Sequence, residues 1–352
     1  MQNNIKNSVL CGMSGGVDSS AAASLLLKLG FDVIGATMVL HNEGCDNKLN
    51  KDLDGAKKIC ERLNINHITL DLKQEFKEIV INDFIKKYEV GLTPNPCVEC
   101  NRHLKFGLMF LKAKENGCEK IATGHYAKIE KIGDKFWLKK PKDLSKDQTY
   151  VLFMLTQKEL KNTVFPLGDL TKAEVRELAN NLSFENANNR DSQDICFVPG
   201  KDYIDFLKRN NAYYKKGDFI NINGEKIGTH QGIINYTIGQ RKGLNVSFGK
   251  PMYVINKDSV NNTVTLGDNL DLFNNRVIIK NLSFTNDEIF VDGMTVFARL
   301  RYNANESKAK LFKLENNLYL LEFFEPQRAV TPGQYAVFYN EDICLGGGEI
   351  VN

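Results

Sequence analysis

In the first half of the chain, short apolar runs alternate with longer segments whose apolar positions recur every three or four residues. Ser8-Val9-Leu10-Cys11-Gly12 is mostly apolar and has the length of a buried strand. Residues 21–29 read as a helix closed by Gly30. Residues 32–39, 68–72 and 120–124 read as further strands. Residues 52–64, 75–88 and 105–115 read as helices; in the second, Phe76, Val80 and Phe84 fall at four-residue steps. Residues 41–50 are polar and read as a loop, and residues 149–155 as a further helix. Thr171-Lys172-Ala173-Glu174 is a capping box opening a helix over 173–182, and another helix is predicted over 202–209. Strands alternating with helices predict a parallel sheet covered on both faces, with ligands at the carboxyl ends of its strands.

Beyond about residue 210 the pattern shortens to β-rich runs separated by Gly and Asn. They cover residues 218–222, 252–256, 263–267, 276–280, 295–302, 308–314, 318–324 and 336–339. Asn261-Asn262 and Asn316-Asn317 suit hairpin turns, as does Gly133-Asp134 within a predicted hairpin over 128–138. Three regions are expected: an α/β domain over 1–208, a small central β-rich domain over 209–273, and a β-barrel over 274–352.

Composition changes this picture little. The chain has 352 residues, 42% hydrophobic and 25% charged, with a formal net charge of +3. That charge permits a nucleic-acid partner without demanding one. No apolar run reaches membrane-spanning length, and the first seven residues are polar, so a cytoplasmic protein without membrane contact is expected. The eight cysteines would then be thiols. Cys11 in the first strand, and Cys60 on a helical stripe with Leu53, Ala56 and Leu63, suit burial as small hydrophobes.

The chemistry starts between the first strand and the first helix. Gly12, Met13, Ser14, Gly15, Gly16, Val17, Asp18 and Ser19 form a Gly-rich turn leading into a helix N-terminus. Backbone N–H groups in such a turn cradle an anion, and the serine hydroxyls add donors, so the expected ligand is a phosphate. Walker loops carry a lysine that this turn lacks, and the dinucleotide pattern is missing. Ser-Gly-Gly-x-Asp-Ser resembles instead the PP-loop of ATP pyrophosphatases, which cleave ATP between its α and β phosphates and adenylate a substrate.

Two further segments involve sulfur. Thr93-Pro94-Asn95-Pro96-Cys97-Val98-Glu99-Cys100-Asn101 reads as a proline-stiffened loop ending in C-x-x-C. That spacing alone admits a redox dithiol, half of a metal site, or a nucleophile with a neighbour. Zinc would need four ligands, and no second such pair follows. Far downstream, Cys196 sits in Asp191-Ser192-Gln193-Asp194-Ile195-Cys196-Phe197-Val198-Pro199.

These segments occur in order with Ala122-Thr123-Gly124-His125-Tyr126-Ala127, Lys146-Asp147-Gln148, Ile238 to Leu244, and Thr331-Pro332-Gly333-Gln334. The combination, running from about residue 8 to the end, resembles the tRNA-specific 2-thiouridylase family (MnmA, or TrmU in mitochondria). The resemblance implies an adenine-nucleotide α-hydrolase-like PP-loop domain, a central β-rich domain and a tRNA-binding C-terminal β-barrel. It implies ATP-dependent 2-thiolation of the wobble uridine, position 34, of tRNA. Cys196 would carry the persulfide and Cys100 would be its partner nucleophile. Gly12 to Ser19 with Met38 and Gly124 would bind ATP, and Asp18 would help hold Mg²⁺. Asn95, Pro96, Cys97, His125, Lys146, Asp147, Gln148, Arg301, Tyr302 and Gln334 would lie on the tRNA, and an upstream donor or relay protein would supply sulfur. Many relatives have Asp where this chain has Cys97, so the acid or base role proposed there does not transfer. Cys97, Cys100 and Cys196 are instead three candidate ligands for a [4Fe–4S] cluster.

An RNA partner also needs basic surface. Candidates are Lys135, Lys139, Lys140, Lys142 and Lys146 around Trp137, Lys208-Arg209, Lys215-Lys216 beside Tyr213-Tyr214, Arg241-Lys242, and Arg299 with Arg301 and Tyr302. Two rival readings stay open: another PP-loop ligase, which would not need Cys100 or Cys196, and an RNA-binding iron–sulfur scaffold without turnover. A 4-thiouridine synthase fits less well, lacking here the extra RNA-binding modules.

Overall fold

A computed structural model describes residues 7–41, 46–182, 184, 195–198, 200, 202–244, 249–286 and 289–352, the side chains of 46–50 excepted. The chain divides into two compact units. The first comprises Met1–Val80, Cys97–Phe197 and Asp342–Leu345, the second Ile81–Pro96, Val198–Glu341 and Gly346–Asn352.

The first unit is built on a parallel sheet of β1 (Ser8–Gly12), β2 (Asp32–Val39), β3 (Asn66–Asp71), β4 (Lys120–Ala122) and a short outer strand, Thr163–Val164. Their order is β3-β2-β1-β4 followed by Thr163–Val164, and every pair is parallel. The sheet grows from β1 in one direction through β2 and β3 and in the other through β4. β1 therefore borders the point where strand order reverses, the place where such sheets bind ligands. Val9, Leu10 and Cys11 are fully buried, because β1 is flanked on both edges and both faces. Helix Val17–Lys28 presses Ala21, Ala22, Ala23 and Ser24 into the core; these small side chains let it approach the sheet closely. Ala56 and Cys60 from helix Asp46–Arg62 join the same core.

In that unit, β5 (Lys128–Ile132) and β6 (Lys135–Lys139) form the expected hairpin, turning at Gly133 with φ +64°. The second unit packs helix Asn82–Glu89 on helix Tyr203–Arg209 through Tyr88 stacked on Tyr203, ring centres 4.9 Å apart. Counting Thr163–Val164 as β7, its first sheet holds β8 (Gly217–Ile220), β9 (Lys226–His230), β10 (Tyr253–Asp258) and β11 (Thr263–Gly267), in the order β10-β11-β8-β9. Its other sheet comprises β12 (Phe273–Phe284), β13 (Met294–Arg299), β14 (Ser307–Lys313), β15 (Tyr319–Arg328), β16 (Tyr335–Asn340) and β17 (Ile343–Ile350). The order β12-β15-β14-β13-β16-β17, with β17 pairing back to β12, closes an antiparallel barrel. Val277, Ile279, Val296, Ala309, Leu311 and Leu321 are buried in it. The β14–β15 turn is made by Asn316 and Asn317, both at positive φ (56° and 57°), the conformation a tight hairpin asks for.

Several elements depart from the sequence pattern. Helix Asp46–Arg62 begins inside the expected polar loop. The stretch read as one helix over 75–88 is α-helical at Lys73–Phe76, π-helical at Lys77–Ile81 and α-helical again at Asn82–Glu89. The expected helix over 149–155 is only the 3₁₀ turn Thr149–Val151. Three strands, β7, β9 and β17, were not expected; the Gly346-Gly347-Gly348 run hides β17 from any propensity argument.

Candidate active site

The Gly-rich turn leaves β1 at Gly12 and enters helix Val17–Lys28 with Gly16 as its N-cap. Gly15 has φ +73°, and a Cβ there would collide with the backbone of Asp52. Gly124, just beyond β4, lies so close to the turn that a Cβ would sit 2.8 Å from the carbonyl carbon of Asp18 and 2.9 Å from Ser19 N. Both positions are therefore restricted to glycine. Ser14 N donates to Ser19 Oγ (3.1 Å), and Ser19 and Ser20 hydroxyls each donate to Gly16 O at 3.0 Å. The turn is thus held in shape by its own hydroxyls. Met13 and Val17 are buried, and Met38 is the last residue but one of β2, the strand next to β1. This cradle suits a nucleotide phosphate.

Asp18 is engaged by protein groups. Lys172 Nζ lies 2.7 and 2.9 Å from its two carboxylate oxygens, and the Tyr126 hydroxyl donates to Oδ1 at 2.8 Å. Lys172 stands at the start of helix Lys172–Asn181, whose Thr171 and Glu174 form the expected capping box, and its side chain is largely buried. Asp18 is thus steadied by Lys172 and Tyr126 while its side chain stays one-third exposed. The lysine that the turn lacks in sequence is supplied from 154 positions away.

A second group of side chains lies one residue beyond Gly124. His125 is buried; its Nδ1 is 2.7 Å from Thr123 Oγ1 and its Nε2 is 3.5 Å from Lys105 Nζ. Burial first, and then the Lys105 charge, hold its pKa well below the usual imidazole value, so the ring is neutral at physiological pH. The imidazole packs between Phe106 and Phe165, ring centres 6.0 and 6.1 Å away.

Lys105 also acts electrostatically on Cys97, Cys100 and Cys196. The expected rigid loop at C-x-x-C is helical instead. Pro96 takes the first helical position, where its missing N–H removes no bond, and Pro96–Glu99 runs on into a π-helix over Cys100–Leu108 and an α-helix over Met109–Glu115. The i→i+5 bonding of a π-helix brings residues five apart onto one face, here Cys100 and Lys105. Cys100 is buried, whereas Cys97 and Cys196 reach solvent. Surrounding protein still desolvates all three thiols, raising each pKa; Cys196 goes up to about 12, with Cys100 and Cys97 adding to the rise. Lys105 opposes the rise in every case.

The iron–sulfur expectation does not fit this arrangement. Among the described residues no three His, Cys, Asp or Glu side chains are grouped so as to hold a metal ion. The three thiols share a field without forming a ligand set. The other cysteines suit the bland role: Cys11, Cys60, Cys118 and Cys344 are buried, and Cys45 lies outside the described residues.

The remaining site residues are placed as follows. Gln148 Oε1 accepts from Tyr126 N at 2.8 Å, bracing the segment that carries His125. Asp147 is buried and accepts from Thr149 N and Oγ1 at 2.9 and 2.6 Å, while Lys146 beside it is partly exposed. In the second unit, Gln334 Nε2 donates to Thr93 O at 2.7 Å, tethering the loop that carries Asn95 and Pro96. Arg301 Nη2 donates to Ile238 O (3.2 Å), Ala329 O (2.6 Å) and Thr331 Oγ1, a clamp within that unit, and Tyr302 is exposed. Among the basic candidates, Lys139 is paired with Glu130 and Asp342, Lys142 with Glu174, and Arg299 with Glu306. Lys105, Tyr126 and Lys172 are site residues that sequence reasoning missed. The spacing of Lys105 from Cys100 was visible, but only the π-helix makes it a shared face.

A family model described as the tRNA methyl transferase HUP domain matches residues 7–200. A tRNA methyl transferase PRC-barrel domain model matches 204–268, and an aminomethyltransferase β-barrel domain model matches 274–350. The N-terminal unit is thus a HUP-class α/β domain with a PP-loop, in a chain whose C-terminal part is a β-barrel. Curated relatives cover nearly the whole chain. The tRNA-specific 2-thiouridylase MnmA of Clostridioides difficile is 43% identical over 97% of both chains, and that of Treponema denticola is 44% identical over the same shares. MnmA 2 of Thermoanaerobacter sp. is 45% identical over 98% of both. The chain belongs to the tRNA-specific 2-thiouridylase family. No helix among the described residues is long and apolar enough to cross a membrane.

Proposed function

We propose that this protein uses ATP to adenylate the 2-oxygen of the wobble uridine, position 34, of tRNA and replaces that oxygen with sulfur from a persulfide on Cys196. One observation carries the reading. Gly124 lies against the Gly-rich turn, and the next residue, His125, has its Nε2 3.5 Å from Lys105 Nζ, whose charge acts on Cys97, Cys100 and Cys196. This closeness supports a reading in which nucleotide chemistry and sulfur chemistry share one neighbourhood.

The uridine 2-oxygen attacks the α-phosphorus of ATP, and pyrophosphate leaves into the cradle of Gly12 to Ser19 and Gly124. Lys172 supplies positive charge there, steered by Asp18 and Tyr126. The terminal persulfide sulfur on Cys196 then attacks C2, and AMP departs. Cys100 attacks the Cys196 sulfur, so the S–S bond breaks, sulfur stays on the base, and a Cys100–Cys196 disulfide forms. Neutral His125 bounds the reacting base from the β4 side and cannot compete for protons at neutral pH. Asn95 and Pro96, held by Gln334, together with Lys146, Asp147, Gln148, Arg301 and Tyr302, support the tRNA directly or by shaping the segments that do. A donor protein loads Cys196 with sulfur, and the cytoplasm is the compartment this reading expects.

The test is mass spectrometry of nucleosides from tRNA incubated with protein, ATP and a persulfide source. Formation of 2-thiouridine is expected, with loss in Cys100→Ser and Cys196→Ser. Product formation by both variants would turn the assignment toward another PP-loop ligase.

A further inference from the structure

Four consecutive residues, Tyr213-Tyr214-Lys215-Lys216, are exposed where the chain runs from helix Tyr203–Arg209 to β8, and the reaction above uses none of them. We propose that this segment is an RNA-docking platform in the second unit, on which the Tyr213 ring stacks an unpaired base of the tRNA while Lys215 and Lys216 take flanking phosphates. In taking tRNA as the partner, it rests on the thiolation reading above.

The backbone of the segment is pinned while its side chains are left in solvent. Tyr213 N donates to Glu89 Oε1 at 2.6 Å. Asn262 Nδ2 donates to Lys216 O at 2.8 Å and to Lys215 O at 3.5 Å. The next residue, Gly217, is already in β8 and pairs with His230 of β9. A segment held this way loses little further freedom when a ligand binds. The two tyrosines then divide the work. Tyr214 packs against Gly232, where a Cβ would lie 2.9 Å from the ring carbon Cδ2, and Lys208 Nζ stands 5.7 Å from its ring centre. Tyr214 therefore props the segment and keeps a third cation beside it. The Tyr213 ring is 68% exposed. An aromatic ring left in water forgoes burial free energy, which a stacked base recovers.

Charge decides the kind of partner. Among the described residues Lys215 and Lys216 have no carboxylate partner, whereas Lys139, Lys142 and Arg299 do. The acids around the segment are engaged: Glu89 on Tyr213 N, Asp205 with Arg209 at 2.8 Å, and Asp218 with Lys226 at 2.7 Å. Unpaired cations beside an exposed ring fit a polyanion that carries flat, unstacked bases, which is single-stranded RNA.

The test is equilibrium binding of a tRNA transcript with uridine at position 34 to the full-length protein, by filter retention between about 50 and 200 mM salt. Tyr213→Ala is expected to weaken binding at least about fivefold and to keep the salt slope, because stacking releases no counterions. Tyr213→Phe keeps the ring face and is expected to bind within about twofold of the unaltered protein. Lys215→Ala combined with Lys216→Ala is expected to lower the salt slope by about 1.5. All these side chains are exposed, so the unfolding midpoints should stay level. Full tRNA affinity in Tyr213→Ala would overturn the platform. So would a loss in Tyr213→Phe as large as that in Tyr213→Ala, or a loss that comes with a fallen midpoint. Full affinity together with slower sulfur transfer from a persulfide donor protein would overturn it in favour of a protein partner. The readout is affinity and not turnover. A tRNA that binds through Tyr213 but is never thiolated would sink the thiolation reading alone, and thiolation by a Tyr213→Ala protein of full affinity would sink the platform alone.

Discussion

At the scale of single residues, the site depends on charges that arrive from far along the chain. Lys172 and Asp18 illustrate this, because neither reads as the other's partner in sequence. Lys172→Met is expected to lower ATP-dependent adenylation at least tenfold. It should also destabilise the protein by about 1–3 kcal/mol, below the usual figure for breaking a buried pair because Asp18 is one-third exposed. Pyrophosphate release and urea unfolding measure the two effects. His125 gives a pH signature. Unfolded, it takes a proton near pH 6.5, whereas folded it resists protonation until well below that. Below pH 6.5 the unfolded chain therefore binds more protons, and stability falls as pH falls, by at most about 1.4 kcal/mol per pH unit for this group. His67 and His230, also depressed by burial, add to the trend. His125→Asn is expected to show a shallower acid-side slope in urea midpoints taken between pH 7.5 and pH 5. A slope equal to that of the unaltered protein would show that His125 is not held neutral.

At the scale of elements, the phosphate turn was legible because a strand, two glycines and a helix follow one another locally. Gly15→Ala must place a Cβ against Asp52 in left-handed backbone and is expected to cost about 1–3 kcal/mol. Gly124→Ala lies in ordinary backbone but presses on Asp18 and Ser19. It should shift ATP use more than stability, so comparing Tm with the KM for ATP separates the two glycines. The C-x-x-C segment was misread as a loop. Two prolines suggested stiffness, but Pro96 in fact opens a helix that runs into the π-helical stretch Cys100–Leu108, of which the pattern marked only residues 105–108 as helical. β17 escaped for a related reason. Gly346 has φ +146°, and a Cβ there would collide with Ser283, so the strand needs glycines that propensity counts against it.

At the scale of the molecule, the net charge of +3 is small for an RNA-binding protein, and several basic candidates are spent on internal pairs. Affinity for tRNA is expected to fall at least about tenfold between 50 and 200 mM salt, because phosphate contacts release counterions. Filter binding across that range checks it, and a flat response would remove the basic-surface reading. Arg301→Ala separates a clamp from a contact: with its Nη2 bonded to groups near residues 238 and 329–331, it should lower the unfolding midpoint and leave the salt slope unchanged.

The sequence by itself determined the α/β sheet, most of the later barrel strands and the Gly-rich turn, and it marked Cys100 and Cys196 as candidates for the reactive cysteines. Each of these is written in local periodicity, in a compact motif, or in side-chain chemistry that does not depend on neighbours. Only the tertiary structure decided which charges meet. Lys172 reaches Asp18, Lys105 comes to the buried His125, Arg301 becomes a clamp, and among the described residues the thiols form no metal site. The physical reason is that electrostatic and hydrogen-bond partners are set by distance in space, whereas sequence records distance along the chain.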